Sequence, residues 1–583
     1  MPLHIPPAIV DSRRLMGPNL YSSRMGAALE VSLDADRADA LIDAWRHHAR
    51  TLSVGLEWPE PEMHVRRLRV GASLFLSAPV DVLMTATEVT EQAWSFAEQW
   101  CNDGDTPDDV IRLALTRLEE SATAERCAHS NLAVVYATAV ERDVLATFDD
   151  EMLTLGSGTG ARSWPLAAVP RVNEVPWSDI SDVRIGLVTG SNGKTTTTRL
   201  VSAMLRAAGR SPGWCCSDGV WISGEQVEFG DYSGPVGARR VLRAPGVDAA
   251  VLESARGGML RRGLAVSRAD AAIITNIAED HFGEYGVETL EGLTDAKSIV
   301  ARVLSREGCL VLNADDPRLA PLAQQQTARI ALFSASAEHA EVDAHVAGGG
   351  EAAVTSEARV MLHTQGRWHD LGHVVEMPIT MRGAAPHNVE NILGAALMAS
   401  ALGAPAEAIR SALSTFGASH GDNPGRLQRY EFGGVVVIVD YAHNPDGLAA
   451  LCETALSIPA QRRLLLLGQA GNRDDEEIRD LARVAMRLLP LDYVIIKEEL
   501  KLLRGRSAGD VPRLLSDELD KLGLPAESVE VTRDEVVAVR HAFAWARAGD
   551  LLVCPIHVDK AEVQEFLGKV ARAGWTPGAP LPA

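Results

Sequence analysis

Residues Gly190, Ser191, Asn192, Gly193, Lys194, Thr195 and Thr196 form one unbroken run, directly after the apolar stretch IGLVT and directly before a helix-forming segment. Glycines in such a run let backbone N–H groups converge on an oxyanion, and the N-terminus of the following helix adds its dipole. Lys194 can reach the terminal phosphates of a nucleotide, and the Thr195 hydroxyl can ligate magnesium. The longer GxxxxGK[ST] pattern needs glycine where Val188 stands, so the loop is a shortened variant. An ordinary glycine-rich turn would not require the Lys-Thr pair or both flanks. Kinases, NTPases and ligases all share such a loop, which therefore specifies only a nucleoside triphosphate.

The elements around the loop come in a regular order. RIGLVTG, TTRLVSAMLRAAG, DAAVLE and DAAIITNI alternate apolar strands with longer helices. That alternation predicts a parallel sheet covered by helices, an α/β architecture. A second break falls at residues 417–424, and VVVIVDYA, RRLLLLG and DYVIIK beyond it predict another α/β unit. The first 165 residues mix strand-like runs, ALEVSL and NLAVVYATA, with a helix over residues 89–100, and end in a Gly/Ser/Pro-rich link at 156–170. Three domains are expected: a smaller α+β domain at 1–165, a nucleotide-binding domain at 170–420 and a Rossmann-like domain at 421–583.

A chain of 583 residues exceeds one ordinary core. Its 46% hydrophobic and 23% charged content is that of a globular protein, and its net charge of −22 argues against a nucleic-acid partner. The seven cysteines include no CxxC pair, which disfavours a zinc site and suits a reducing compartment. No signal peptide is evident at the N-terminus, and apolar runs such as LLLL at 464–467 are strand-sized, far below the roughly 20 residues that span a bilayer. The expectation is a cytoplasmic protein without membrane association.

Downstream of the loop come VLESARGGMLRRG, TNIAEDHFGEYGVETLEGLTDAKSIV, MRGAAPHNVENILGA, NPGRL, VDYAHNPDGL, LGQAGNRDD and KEELKLLRGR. Over residues 180–560 this series resembles the Mur ligases, and within that superfamily most closely the Mur-like half of cyanophycin synthetase. The resemblance implies a P-loop parallel-sheet central domain and a Rossmann-like C-terminal domain. It implies an ADP-forming ligase that joins a carboxylate to an amine through an acyl-phosphate, with ATP and one or two magnesium ions. Glu253 and His281 correspond to magnesium ligands, Lys297 to the lysine that many relatives carbamylate to hold a second ion, and Arg426 to the arginine that reaches the γ-phosphate. Asn388 and Asn391 would meet the adenine side, while Asp440 and His443 would face the nucleotide and incoming amine. Arg256, Arg261 and Arg262 are candidates to clamp the carboxylate substrate, with Glu498 and Arg504 beside the amine.

More weakly, RRLMGPNLYSSRMGAALEVSL and SNLAVVYATAVERD resemble the N-terminal domain of cyanophycin synthetase, which engages the polymer. A peptidoglycan precursor is disfavoured on this ground. The histidines of a hydrolytic motif found in some relatives are missing from RLRVGASLFLSAPVDVLM, so no hydrolytic site is expected there. About thirty residues separate Ala161 from the phosphate loop, leaving no room for the ATP-grasp domain that cyanophycin synthetase carries at this place. One ligation is therefore expected, with arginine an open choice of amine and a separate ATP-grasp ligase as supplier of an aspartyl acceptor. The family pattern also allows homo-oligomers. The competing readings are a silent nucleotide-binding partner of that ligase and an NTPase switch or kinase. The combined presence of Lys194, Thr195, Glu253, His281, Lys297 and Arg426 weighs against the first, and DYAHNP and HNVEN weigh against the second.

Overall fold

The computed structural model describes residues 7–279 and 284–582. His281, expected as a magnesium ligand, lies outside the described residues. The first unit is a four-stranded antiparallel sheet in the order Ala8–Leu15, Gly26–Ser32, Gly71–Ser77, Met63–Leu68. Helices Ala35–Gly55 and Leu83–Asp103 bury Trp45 and Trp94 against it. The run NLAVVYATA, expected as a strand, is helical over Leu132–Glu141. Its buried residues Leu132, Val135 and Ala139 follow a helical spacing, and packing on a small three-stranded sheet overrides the β-propensity of its valines.

The central sheet has eleven strands, and its seven middle strands run parallel. Strand Arg184–Thr189 lies between Ala249–Glu253 and Ala269–Ile274. These strands are almost wholly buried, as continuous apolar runs covered by helices on both faces must be. Antiparallel hairpins finish both edges. Because the glycine-rich loop follows a strand inside this parallel array, it sits at the carboxyl ends of neighbouring strands.

The last unit is a six-stranded sheet in the order Gln428–Phe432, Val435–Asp440, Leu551–Pro555, Arg463–Leu467, Tyr493–Lys497, Val529–Thr532. Only its first pair is antiparallel. The molecule is thus α/β in its central and C-terminal domains, with a smaller α+β domain ahead of them. Among the described residues no helix is long and apolar enough to cross a membrane.

The N-terminal sheet docks on the helix Arg256–Arg262. Met16 N–H donates to Arg262 O at 2.8 Å, and Leu264 N–H donates to Pro18 O at 2.7 Å. A Cβ at Gly17 would sit 2.0 Å from Leu264 O, so this approach requires glycine. Arg13, 6% exposed, donates to Leu260 O at 3.0 Å, pairs with Glu30 at 2.8 Å and lies over the Tyr285 ring. Burial opposes its charge, but Glu30, Tyr21 and Asp11 outweigh burial and hold the guanidinium above its ordinary pKa.

Candidate active site

The phosphate loop is built around two glycines of positive φ. Gly190 has φ 148°, and a Cβ there would lie 1.8 Å from Thr275 Oγ1; Gly193 has φ 81° and caps the helix Lys194–Ala207. No side chain fits at either place, so the backbone forms an open cradle at a helix N-terminus. Lys194 Nζ folds over the cradle and donates to Gly190 O at 3.1 Å and Ser191 O at 2.9 Å. Ser191 and Asn192 are fixed from the neighbouring strand end, through Ala278 O and the Asn276 side chain.

Glu253 closes the adjacent strand. It is 2% exposed and accepts from Thr195 Oγ1 at 2.9 Å. Burial raises its carboxyl pKa, with Lys194, Arg426 and the Thr195 hydroxyl opposing that rise. A buried carboxylate beside a threonine hydroxyl, at the edge of a phosphate cradle, is an oxygen donor set suited to magnesium. Lys297, also 2% exposed, donates to Gly190 O at 2.7 Å from the far side of the loop.

Arg426 enters from the C-terminal domain. It donates to Ser217 Oγ at 3.0 Å and Thr195 Oγ1 at 3.4 Å. Its guanidinium lies 4.2 Å from the centre of the Tyr441 ring, and Lys560 Nζ lies 4.1 Å from the same centre. Lys560 also pairs with Asp218 at 2.8 Å, which in turn pairs with Arg199 at 3.2 Å. Burial works against the Arg426 charge, but Asp218, Tyr441, Asp440 and Glu253 together hold its pKa above the ordinary value. Burial first, then Arg426, lower the pKa of Lys560 despite Asp218.

Further contacts record domain closure. Asn192 Nδ2 donates to Asp446 at 2.8 Å, Asn444 Nδ2 donates to Asn192 Oδ1 at 3.1 Å, and Asn423 Nδ2 donates to Thr196 Oγ1 at 3.2 Å. Between the domains lies a cleft of about 1220 Å³ that takes in the loop, Glu253, Lys297 and Arg426. Arg256, Arg261, Arg262 and Arg504 line it as well.

The remaining expected residues take more varied positions. Asn388 and Asn391 line the cleft, but their amides are engaged: Asn388 donates to Ile379 O, and Asn391 donates to Asn388 and adjoins Gly193. They brace the loop helix. Asp440 accepts from the backbone N–H groups of Leu427 at 2.7 Å and Ala442 at 2.8 Å, fixing the segment that carries Arg426. His443 lines the cleft, with its ring against Tyr441. Glu498 is not among the cleft-lining residues; it accepts from Gly509 N–H and faces Arg533.

Four residues of this arrangement escaped the sequence reading: Ser217, Asp218, Tyr441 and Lys560. So did a buried cluster behind them. Lys497, fully enclosed, donates to Glu499 at 2.8 Å, to Glu535 and to His557 Nδ1 at 3.1 Å. His557 Nε2 meets Ala442 O at 2.8 Å, so the cluster pins the loop that presents Tyr441. The KEEL segment supplies Lys497 and Glu499 to that cluster, while Glu498 between them turns away to Gly509.

The chain is similar to known proteins over its central and C-terminal domains. The Mur ligase middle domain matches residues 188–399, and the Mur ligase glutamate ligase domain matches residues 425–555. A cyanophycin synthetase of Nostoc sp. is 36% identical over 367 residues, which is 63% of this chain and 40% of that protein. A UDP-N-acetylmuramoyl-L-alanyl-D-glutamate–2,6-diaminopimelate ligase of Chlorobaculum tepidum is 29% identical over 391 residues, 63% of this chain and 70% of that protein. The solved structure of E. coli FolC in complex with DHPP and ADP aligns with a TM-score of 0.48 at 20% identity, covering 67% of this chain and 89% of that one. The aligned part of the chain spans less than half the length of the cyanophycin synthetase it matches.

Proposed function

The chain belongs to the Mur ligase family through its central and C-terminal domains, and from that premise we propose that it is an ATP-dependent carboxylate–amine ligase working through an acyl-phosphate. One observation carries the reading: the phosphate loop, Glu253 and Lys297 of the central domain share a single cleft with Arg426 of the last domain, 3.4 Å from Thr195 Oγ1. When bound, ATP supplies the phosphoryl group that turns a carboxylate into an electrophile, and magnesium offsets phosphate charge. Thr195 and Glu253 would hold the first ion. Lys297, as a carbamate, would hold a second.

The residues present do the rest by position and charge. Lys194, over the loop, and Arg426, at Thr195, stabilise negative charge as it develops on the transferring group. Arg256, Arg261 and Arg262 hold the carboxylate substrate, with Arg504 on the side of the amine. Closure of the last domain, through Asn192, Asn423 and Asp446, keeps water from the acyl-phosphate.

In this reading the amine is an amino acid, with arginine the first candidate, and the acceptor is an amino acid or peptide carboxylate such as an aspartate side chain. The link between residues 156 and 183 contains only short turns and one strand, which supports a single ligation and a separate ATP-grasp ligase as supplier of the acceptor. The absence of a membrane-crossing helix among the described residues fits work in the cytoplasm. The test is phosphate release across the amino acids, with aspartyl and glutamyl peptides as acceptors. Release that requires both amine and acceptor, and that Lys194→Ala abolishes without lowering the melting temperature, supports the ligase. Release that is indifferent to both, or none with any combination, refutes it.

A further inference from the structure

The seam between the N-terminal domain and the cleft holds more positive charge than its partners neutralise. Arg239 lies in the helix Pro235–Leu242 and is 5% exposed, yet its guanidinium has no hydrogen-bond or ion-pair partner among the described residues. Around it, Arg14 pairs with Asp150 at 3.0 Å and Arg243 pairs with Asp149 at 2.6 Å. Arg261 and Arg262 have no ion pair among the described residues. Five guanidiniums therefore face two carboxylates, in a chain whose net charge is −22.

The strain shows in the titration of these groups. Burial first, and then Arg243 and Arg262, push Arg239 down to about 10 against the pull of Asp149 and Asp150. Burial, Arg14 and Arg261 lower Arg262 as well. A buried cation without a partner is costly, so its retention points to a counter-charge that arrives from outside.

The seam adjoins the cleft. Pro235 lines the cleft, and Arg239, which does not line it, follows four residues later on the same face of the same helix. Arg261 and Arg262 line the cleft themselves. We propose that this seam is a second anion subsite, in which Arg239 and Arg262 receive another oxyanion group of the substrate whose carboxylate is activated at the phosphate loop. The acceptor is then at least di-acidic, its two groups lying on either side of the helix Arg256–Arg262. The assignment of that substrate as acceptor rests on the ligase reading; the subsite rests on the charge imbalance alone.

The test is calorimetric binding to the full chain, without ATP, of three N-acetylated, C-amidated dipeptides: Asp-Asp, Asp-phosphoserine and Asp-Ala. Wild type is expected to bind one of the first two at least about ten-fold tighter than Asp-Ala, with affinity falling as salt rises. Asp-Asp as the tighter ligand identifies a carboxylate as the second group, and Asp-phosphoserine a phosphate. In Arg239→Met the preference should vanish while the melting temperature of the ligand-free protein holds or rises, because an unpaired buried charge has been removed. A purely structural arginine would instead lower that temperature. Arg262→Gln, at a partly exposed position, should erase the same preference and serves if Arg239→Met does not fold. Equal binding of all three dipeptides by wild type, or a preference that survives both substitutions, overturns the proposal. Because ATP is absent, failure to find ligase activity would leave this result standing.

Discussion

Glu390 offers a quantitative handle on domain closure. It sits in the helix Pro386–Ala401, lines the cleft and faces Asp446, which belongs to the last domain. Burial is the largest cause that raises its pKa to about 7 from 4.5, followed by Asp315, Asp446 and Asp316, with an opposing hydrogen bond from Asn313. Opening the cleft would remove Asp446 and part of the burial, so the carboxyl would return toward its ordinary value. Closure therefore takes up a proton between those two values. It is favoured at low pH and progressively penalised as pH rises through the higher one.

The full shift corresponds to a ceiling of about 3.5 kcal/mol at about 1.4 kcal/mol per unit. Asp315 and Asp316 stay beside Glu390 in either state, so opening relieves only roughly 1–2 kcal/mol. Glu390→Gln keeps the shape and a hydrogen-bonding group, and removes the charge. Calorimetric binding of a non-hydrolysable ATP analogue should then tighten by roughly 5–30-fold at about pH 8 and hardly change at about pH 5.5. Small-angle scattering should report a more compact variant under the alkaline condition. Parallel pH curves for wild type and Glu390→Gln would refute the reasoning.

Other substitutions test the remaining supports. Lys560→Met removes a half-buried charged pair and one face of the Tyr441 stack, so kcat/KM for ATP should fall by roughly 10–30-fold, about 1.5–2 kcal/mol, with Lys560→Arg recovering most of it. Arg13→Met strands Glu30 and releases Leu260 O, so it should cost about 3 kcal/mol of stability, read by denaturant unfolding, and raise KM for the acceptor more than KM for ATP. Lys297→Ala should lose activity and regain part of it with added acetate, if a carboxylate at this place is what catalysis requires. A Lys297→Ala enzyme of undiminished rate would exclude that role.

The phosphate loop was legible because its chemistry is local: glycine at two positive-φ positions, then lysine and threonine on the first helical turn. The buried parallel strands were legible for a related reason, since runs such as IGLV and AAVL can be continuously apolar only where both faces are covered. The segment at 132–141 misled because a short valine-rich run fits either period, although the spacing of Leu132, Val135 and Ala139 was there to arbitrate. Ser217, Asp218 and Lys560 were out of reach for a different reason. Asp218 and Lys560 stand 342 positions apart, and nothing in either neighbourhood encodes the pairing. Glu498 was one position from the cluster that matters: the neighbouring Lys497 and Glu499 turn inward toward Glu535 and His557, while Glu498 turns toward Gly509 and Arg533.

Both outer domains act on one short stretch of the central domain. The helix Arg256–Arg262 is held from the N-terminal side by Arg13 at Leu260 O and by Met16 at Arg262 O. Its first residue, Arg256, pairs at 2.8 Å with Glu284, whose other oxygen accepts from Asn472 of the last domain at 3.1 Å. The same helix carries Arg261 and Arg262 into the cleft. Closure of the last domain on the phosphate loop therefore also tightens the support of the arginines, through Glu284. In the proposed ligase, a carboxylate held by those arginines would be fixed against the cradle as Arg426 reaches Thr195, which is how orientation reduces the entropic share of a barrier. Loosening either support should leave every group at the phosphate loop in place and still slow the proposed reaction, because the loss would fall on the position of the substrate.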